Sequence, residues 1–136
     1  MFKTIIVPID IAHADTSQTV IDIAAKNGNA DSRIILLNIV DEIPNWAAVE
    51  LPADMQEKSL RISRDTLGDI AEACNAKTEV MVRVGSPYRT ILEEADKNGA
   101  ELIVIASHKP GLQDYLLGST AAKVVRHAKC SVFVVR

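Results

Sequence analysis

The sequence predicts an α/β protein built on an open, mostly parallel sheet with helices on both faces. Short continuous β-branched runs recur along the chain, and stretches of helical spacing with capping residues separate them. The apolar fraction, 48% of 136 residues with aromatics at only 4%, is almost all Ala, Val, Ile and Leu. An unbroken apolar run reads as a strand covered on both faces, as in parallel sheets, because a strand with one wet side alternates instead.

The first run is Ile5-Ile6-Val7, stopped by Pro8, and the second extends from Ile34 to Val40. Thr78 to Val84 alternates more, while Leu102 to Ile105 and Val132 to Val135 are again continuous, which makes five strands. Between the first two, Asp15 is expected to cap a helix carrying Val20, Ile23 and Ala24, with Gly28 in the left-handed position at its end. A longer amphipathic helix is expected from about Asp54 to about Ala73, with Leu60, Leu67, Ile70 and Ala71 inward. Ser86-Pro87 places a cap before a first-turn proline, Ile91, Leu92 and Ala95 face inward, and Gly99 ends that helix. Gly118-Ser119-Thr120 opens a last helix bearing Ala121, Val124, Val125 and Ala128. The resulting β-α-β-α-β-α-β-α-β alternation is the pattern of a layered α/β sheet. The one long connection, Asp41 to Ala53, contains Trp46, read as a plug for the following helix in preference to a lid over a ligand.

A chain of 136 residues fits one domain, residues 1–136. Its formal charge of −3 argues against a broad electrostatic grip on nucleic acid or an anionic membrane and leaves room only for a local anion site. Cys74 and Cys130 have no metal-ligand or redox spacing and read as packing residues. The N-terminus lacks a basic region and a small-residue cleavage site, and no window approaches the ~18 apolar residues of a membrane span, so a cytoplasmic setting is expected.

In open α/β sheets ligands bind outside the carboxyl ends of the strands. The exits are Pro8-Ile9-Asp10, Ile39-Val40-Asp41, Val84-Gly85-Ser86-Pro87 and Ala106-Ser107-His108-Lys109. No G-x-x-x-x-G-K-[ST] loop, no G-x-G-x-x-G after the first strand and no G-x-S-x-G elbow occurs. The third strand ends in Val84-Gly85-Ser86, where a phosphoacceptor receiver domain needs an aspartate. Ser107 to Thr120 remains as a candidate phosphate cradle. Gly118 admits close backbone approach, Ser119 and Thr120 offer amides and hydroxyls at a helix N-terminus, and His108 and Lys109 lie on the same connection. On spacing alone the same residues equally well just start and cap a helix. Asp10 likewise reads either as a ligand carboxylate or as a capping residue, and His13 and His127 as a loop residue and a helix-end residue.

These segments together resemble the universal stress protein family, from V-P-I-D at Val7 through L-L-N-I-V-D-E at Leu36, V-G-S-P at Val84, I-V-I-A-S-H-K-P at Ile103 and L-L-G-S at Leu116 to V-V-R-H-A-K-C-S-V-F-V-V-R at the C-terminus. The resemblance implies an adenine nucleotide alpha hydrolase-like fold with strand order 3-2-1-4-5. It also implies a homodimer through the last strand, Val132 to Val135, or a tetramer built from it, which would explain an apolar edge without guarding charges. Nucleotide-binding members carry G-x2-G-x9-G-[ST] after the fourth strand. Here Ala106 and Lys109 stand at the first two glycines, Gly118-Ser119 at the last pair, and only Pro110 to Leu117 intervene, one residue fewer. A-S-H-K-P followed by Y-L-L-G-S resembles the F/G-type subgroup, whose members bind nucleotide with an altered loop.

By that resemblance ATP, with Mg2+, would meet Asp10 and the backbone of Pro8 and Ile9, with Ile39 at the adenine edge and Gly85 beside ribose or phosphates. Ala106, Ser107, His108 and Lys109 would span ribose and phosphates, and Gly118, Ser119 and Thr120 would cradle the triphosphate. The expected function is a nucleotide-linked regulatory or protective protein of the stress response, with no protein residue committed to metal binding or catalysis and at most slow ATP hydrolysis. The alternative is a dimer of the non-nucleotide branch serving as a protein-interaction module.

Overall fold

A computed structural model describes residues 1–107 and 117–136. Five strands, β1 (Thr4–Pro8), β2 (Arg33–Val40), β3 (Glu79–Val84), β4 (Leu102–Ala106) and β5 (Ser131–Val135), form one sheet in the order β3-β2-β1-β4-β5. Every neighbouring pair is parallel, with Ile5 opposite Ile34 on one side and opposite Leu102 on the other. The helices are α1 (Ser17–Asn27), the single turn α2 (Asn45–Ala48), α3 (Met55–Ala73), α4 (Pro87–Asn98) and α5 (Ser119–His127).

Alternation along doubly covered strands sends successive side chains to opposite faces. Ile5, Val7, Ile34 and Leu36 join Val20, Ile21 and Ala24 of α1 and Leu67 of α3 in one core. Ile6, Ile35, Leu37, Ile103 and Ile105 meet Ile91 and Ala95 of α4 and Ala121 and Val124 of α5 in the other. Most of these side chains are wholly buried, each contributing about 1.5–3 kcal/mol of transfer free energy for a Leu or Ile. Ala24, Ala95 and Ala121 fill the helix side of these cores beside Val, Ile and Leu, with no aromatic side chain among the described buried core residues.

The structure departs from expectation at three points. Asp15 does not cap α1. A 3-10 turn, Ile11–Thr16, precedes that helix, and Asp10 caps the turn by accepting from the Ala12 amide at 3.0 Å. Gly28 is extended rather than left-handed (φ −108°, ψ −166°), and a Cβ there would lie 2.8 Å from the Ser32 hydroxyl, so space rather than backbone conformation calls for glycine. Trp46, on α2, is 79% exposed and plugs nothing. By contrast Gly99 does end α4 in the left-handed region (φ 63°), after Pro87 at its first turn.

Both cysteines are free and half-buried against the two cores. Burial raises the Cys130 thiol above its ordinary value, which disfavours the reactive thiolate.

Candidate functional site

The chain runs from β1 outward to β3, then returns to the other side of β1 for β4 and β5. The resulting switch point lies between β1 and β4, where the two flanking connections diverge and leave a crevice. A cleft of about 620 Å³ opens there, inside the roughly 300–1,000 Å³ common for small-molecule sites.

At the β1 exit, β2 holds the Ile9 peptide from both sides. The Ile9 amide donates to the Leu37 carbonyl at 2.8 Å, and the Asn38 side-chain amide donates to the Ile9 carbonyl at 2.8 Å. Asn38 is buried, so this bond both satisfies a polar side chain in the sheet and fixes the direction in which the chain leaves β1. Asp10 follows on the cleft wall. One carboxylate oxygen caps the 3-10 turn and the other lies 3.9 Å from His13 Nε2. Ile39 lines the cleft beyond Pro8–Leu37, the last paired position of β1 and β2.

Opposite, β4 delivers Ala106 and Ser107. The Ser107 amide donates to Val135 at 2.8 Å, and its carbonyl accepts from the Gly118 amide at 2.7 Å. That second bond brings the start of α5 against the end of β4. Gly118 is the N-cap residue and has no side chain to cap with, so among the described residues the first-turn amides of α5 receive no side-chain cap. The first turn holds no acidic residue. Uncapped amides, the positive end of the helix dipole and the absence of a carboxylate together make this wall suited to an anion.

Nine of the residues singled out from the sequence therefore share one cleft: Pro8, Ile9, Asp10, Ile39, Ala106, Ser107, Gly118, Ser119 and Thr120. Gly85 is not among its lining residues. Its amide donates to the Val40 carbonyl at 3.0 Å, its φ is +156°, and a Cβ would lie 2.5 Å from Thr90 Oγ1. Glycine is thus required at Gly85 by the turn from β3 into α4. His108 and Lys109 lie outside the described residues.

The cleft also collects His13, Thr16, Ser17, Asn38 and Asp41. Asn38 had a visible signal, a lone amide in the otherwise apolar run from Ile34 to Val40. Ser17 and Ser107 share a further property: among the described residues their hydroxyls are the buried side-chain polar atoms without a hydrogen-bond partner. An unmet buried group costs about 1–3 kcal/mol, and folded proteins contain few of them.

The profile of the Universal stress protein family matches residues 1–136. Universal stress protein G of Salmonella typhimurium is 32% identical over 144 residues, covering 100% of both chains. Universal stress protein G of Escherichia coli O157:H7 is 28% identical over 142 residues with the same coverage. The solved structure of hypothetical protein MJ0577 has a TM-score of 0.81 at 25% identity, over 99% of this chain and 96% of that one. A universal stress protein solved in complex with cAMP has a TM-score of 0.66 at 27% identity, over 99% and 97% respectively.

Proposed function

The chain belongs to the universal stress protein family, and we propose that its cleft binds an adenine nucleotide, ATP with Mg2+, making it a nucleotide-linked regulatory or protective protein of the stress response. The observation that carries this reading is the convergence at the switch point: Ile9 and Ile39 line the cleft from the β1 and β2 exits, and the uncapped, acid-free N-terminus of α5 lines it opposite. An aromatic base takes the apolar wall and a phosphate chain takes the amides. The cAMP-bound relative supports the ligand class.

Among the described residues no group of three or more His, Cys, Asp or Glu side chains gathers into a metal cage. Mg2+ is commonly held through substrate phosphates, waters and one or two carboxylates. Asp10 and Asp41, the carboxylates on the cleft wall, are the groups that would meet it. Lys109, by its place in the sequence, adds a cation to the connection that leads into α5.

We also propose a homodimer through β5. It is an edge strand whose residues, Ser131–Val135, carry no charge, with Phe133 42% exposed and Val125 of α5 45% exposed. The cytoplasm is the proposed setting, where two free, half-buried thiols persist in the reduced state.

Gly118→Val tests the nucleotide reading. With φ −62° and ψ 155° the backbone conformation is open to any residue, so valine costs about 1 kcal/mol of capping but no backbone strain. Its branched side chain would stand where phosphates must approach the amides. Affinity for ATP should fall by about tenfold or more with the fold and oligomeric state retained. Unchanged affinity would overturn this location for the phosphates and favour the interaction-module reading.

A further inference from the structure

Ser17 and Ser107 are 90 positions apart in the sequence, on different elements, yet both line the same cleft and both are at least nine-tenths buried, at 3% and 4% exposure. Among the described residues no other buried side-chain oxygen or nitrogen lacks a partner. A polar atom removed from water without a bond is a local debt in stability, and two such atoms on residues that line one cavity point to a ligand as the missing partner.

The neighbouring chemistry specifies that partner. The backbone groups of Ser107 are already used, the amide toward Val135 and the carbonyl toward Gly118, so its hydroxyl alone is available. The bond to Gly118 fixes Ser107 beside the α5 N-terminus, where charge favours an anion. The Ser17 amide likewise is committed to the Ala14 carbonyl, leaving its hydroxyl. α1 has no acidic residue in its first turn, so no carboxylate of that turn repels an anion at Ser17.

We infer that the Ser17 and Ser107 hydroxyls act as a pair, donating hydrogen bonds to phosphoryl oxygens of the ligand and anchoring its phosphate group between α1 and the end of β4. This rests on the nucleotide reading of the same cleft and extends it by a residue, Ser17, that lies outside the phosphate-loop pattern. Hydrogen bonds to ionised oxygens are shorter and stronger than neutral ones, so each hydroxyl should matter for a phosphate-bearing ligand and little for a nucleoside.

The experiment compares wild type, Ser17→Ala and Ser107→Ala by calorimetric titration with ATP, AMP and adenosine, together with thermal melts with and without ATP. Each variant should bind ATP and AMP about tenfold more weakly while adenosine affinity stays within about twofold. Without ligand each should melt at or above the wild-type temperature, because the substitution removes an unpaired buried hydroxyl. The inference is overturned if both variants bind ATP as wild type does, if adenosine binding falls by the same factor, or if the ligand-free variants melt well below wild type. Failure of wild type to bind ATP, AMP or adenosine would instead overturn the nucleotide reading on which the inference depends.

Discussion

Arg33 and Glu79 face each other at the entrance of β2 and β3, joined by two hydrogen bonds of 2.8 and 3.0 Å. The arginine's hydrogen bond, more than its charge, holds the Glu79 carboxyl below its ordinary value. A carboxyl lowered on folding contributes stability above its unfolded pKa and loses that contribution as pH falls through the folded value. Glu79→Gln should therefore be slightly less stable than wild type at neutral pH, with the gap closing as the solution is acidified through and below the carboxylate range. Denaturant melts across pH check this, and a gap that widened on acidification would contradict it. The effect is small because both side chains are about half exposed, at 47% and 50%. At this scale the sequence was only partly legible. Asp10 advertised both of its roles, cap and cleft carboxylate, through its position after a strand. Ser17 advertised nothing, since a serine at the start of a helical stretch has the same pattern whether its hydroxyl is bonded or stranded.

The five strands lie where the β-branched runs put them, with ends shifted by one residue: β3 begins at Glu79 rather than Thr78, and β5 at Ser131. Long helices were equally legible, because a period sustained over Leu60, Leu67, Ile70 and Ala71 leaves one interpretation. Short helical pieces escaped, since neither Ile11–Thr16 nor Asn45–Ala48 is long enough to establish a period. The exposure of Trp46 has the same origin. An apolar side chain usually finds a core, but a four-residue helix between Pro44 and Pro52 gives it none to reach. The edge strand supplies the prediction at this scale. Phe133→Glu places a charge in the middle of the proposed β5 interface, where desolvation without a partner is costly. Native mass measurement should show the dimer weakened by about a hundredfold or more while ATP affinity per chain is retained. A variant as dimeric as wild type would move the interface elsewhere.

Across the whole molecule, alternation of strands and helices was sufficient for a layered α/β sheet but silent on which strand lies next to which. Order 3-2-1-4-5 came with the family resemblance, because many orders bury the same apolar faces equally well. The order matters for the site, since it alone creates the switch point at β1 and β4 and gathers residues from distant parts of the chain, Pro8 to Asp10, Ile39, Ala106 and Ser107, and Gly118 to Thr120, at one crevice. The proposed anion site is compatible with a net charge of −3, because backbone amides at a helix end attract an anion locally without surplus lysine and arginine. The direct test is calorimetric titration of wild-type protein with ATP in the presence of Mg2+. The cleft geometry calls for saturable binding of one ATP per chain, and a chain that binds none at millimolar nucleotide would contradict it.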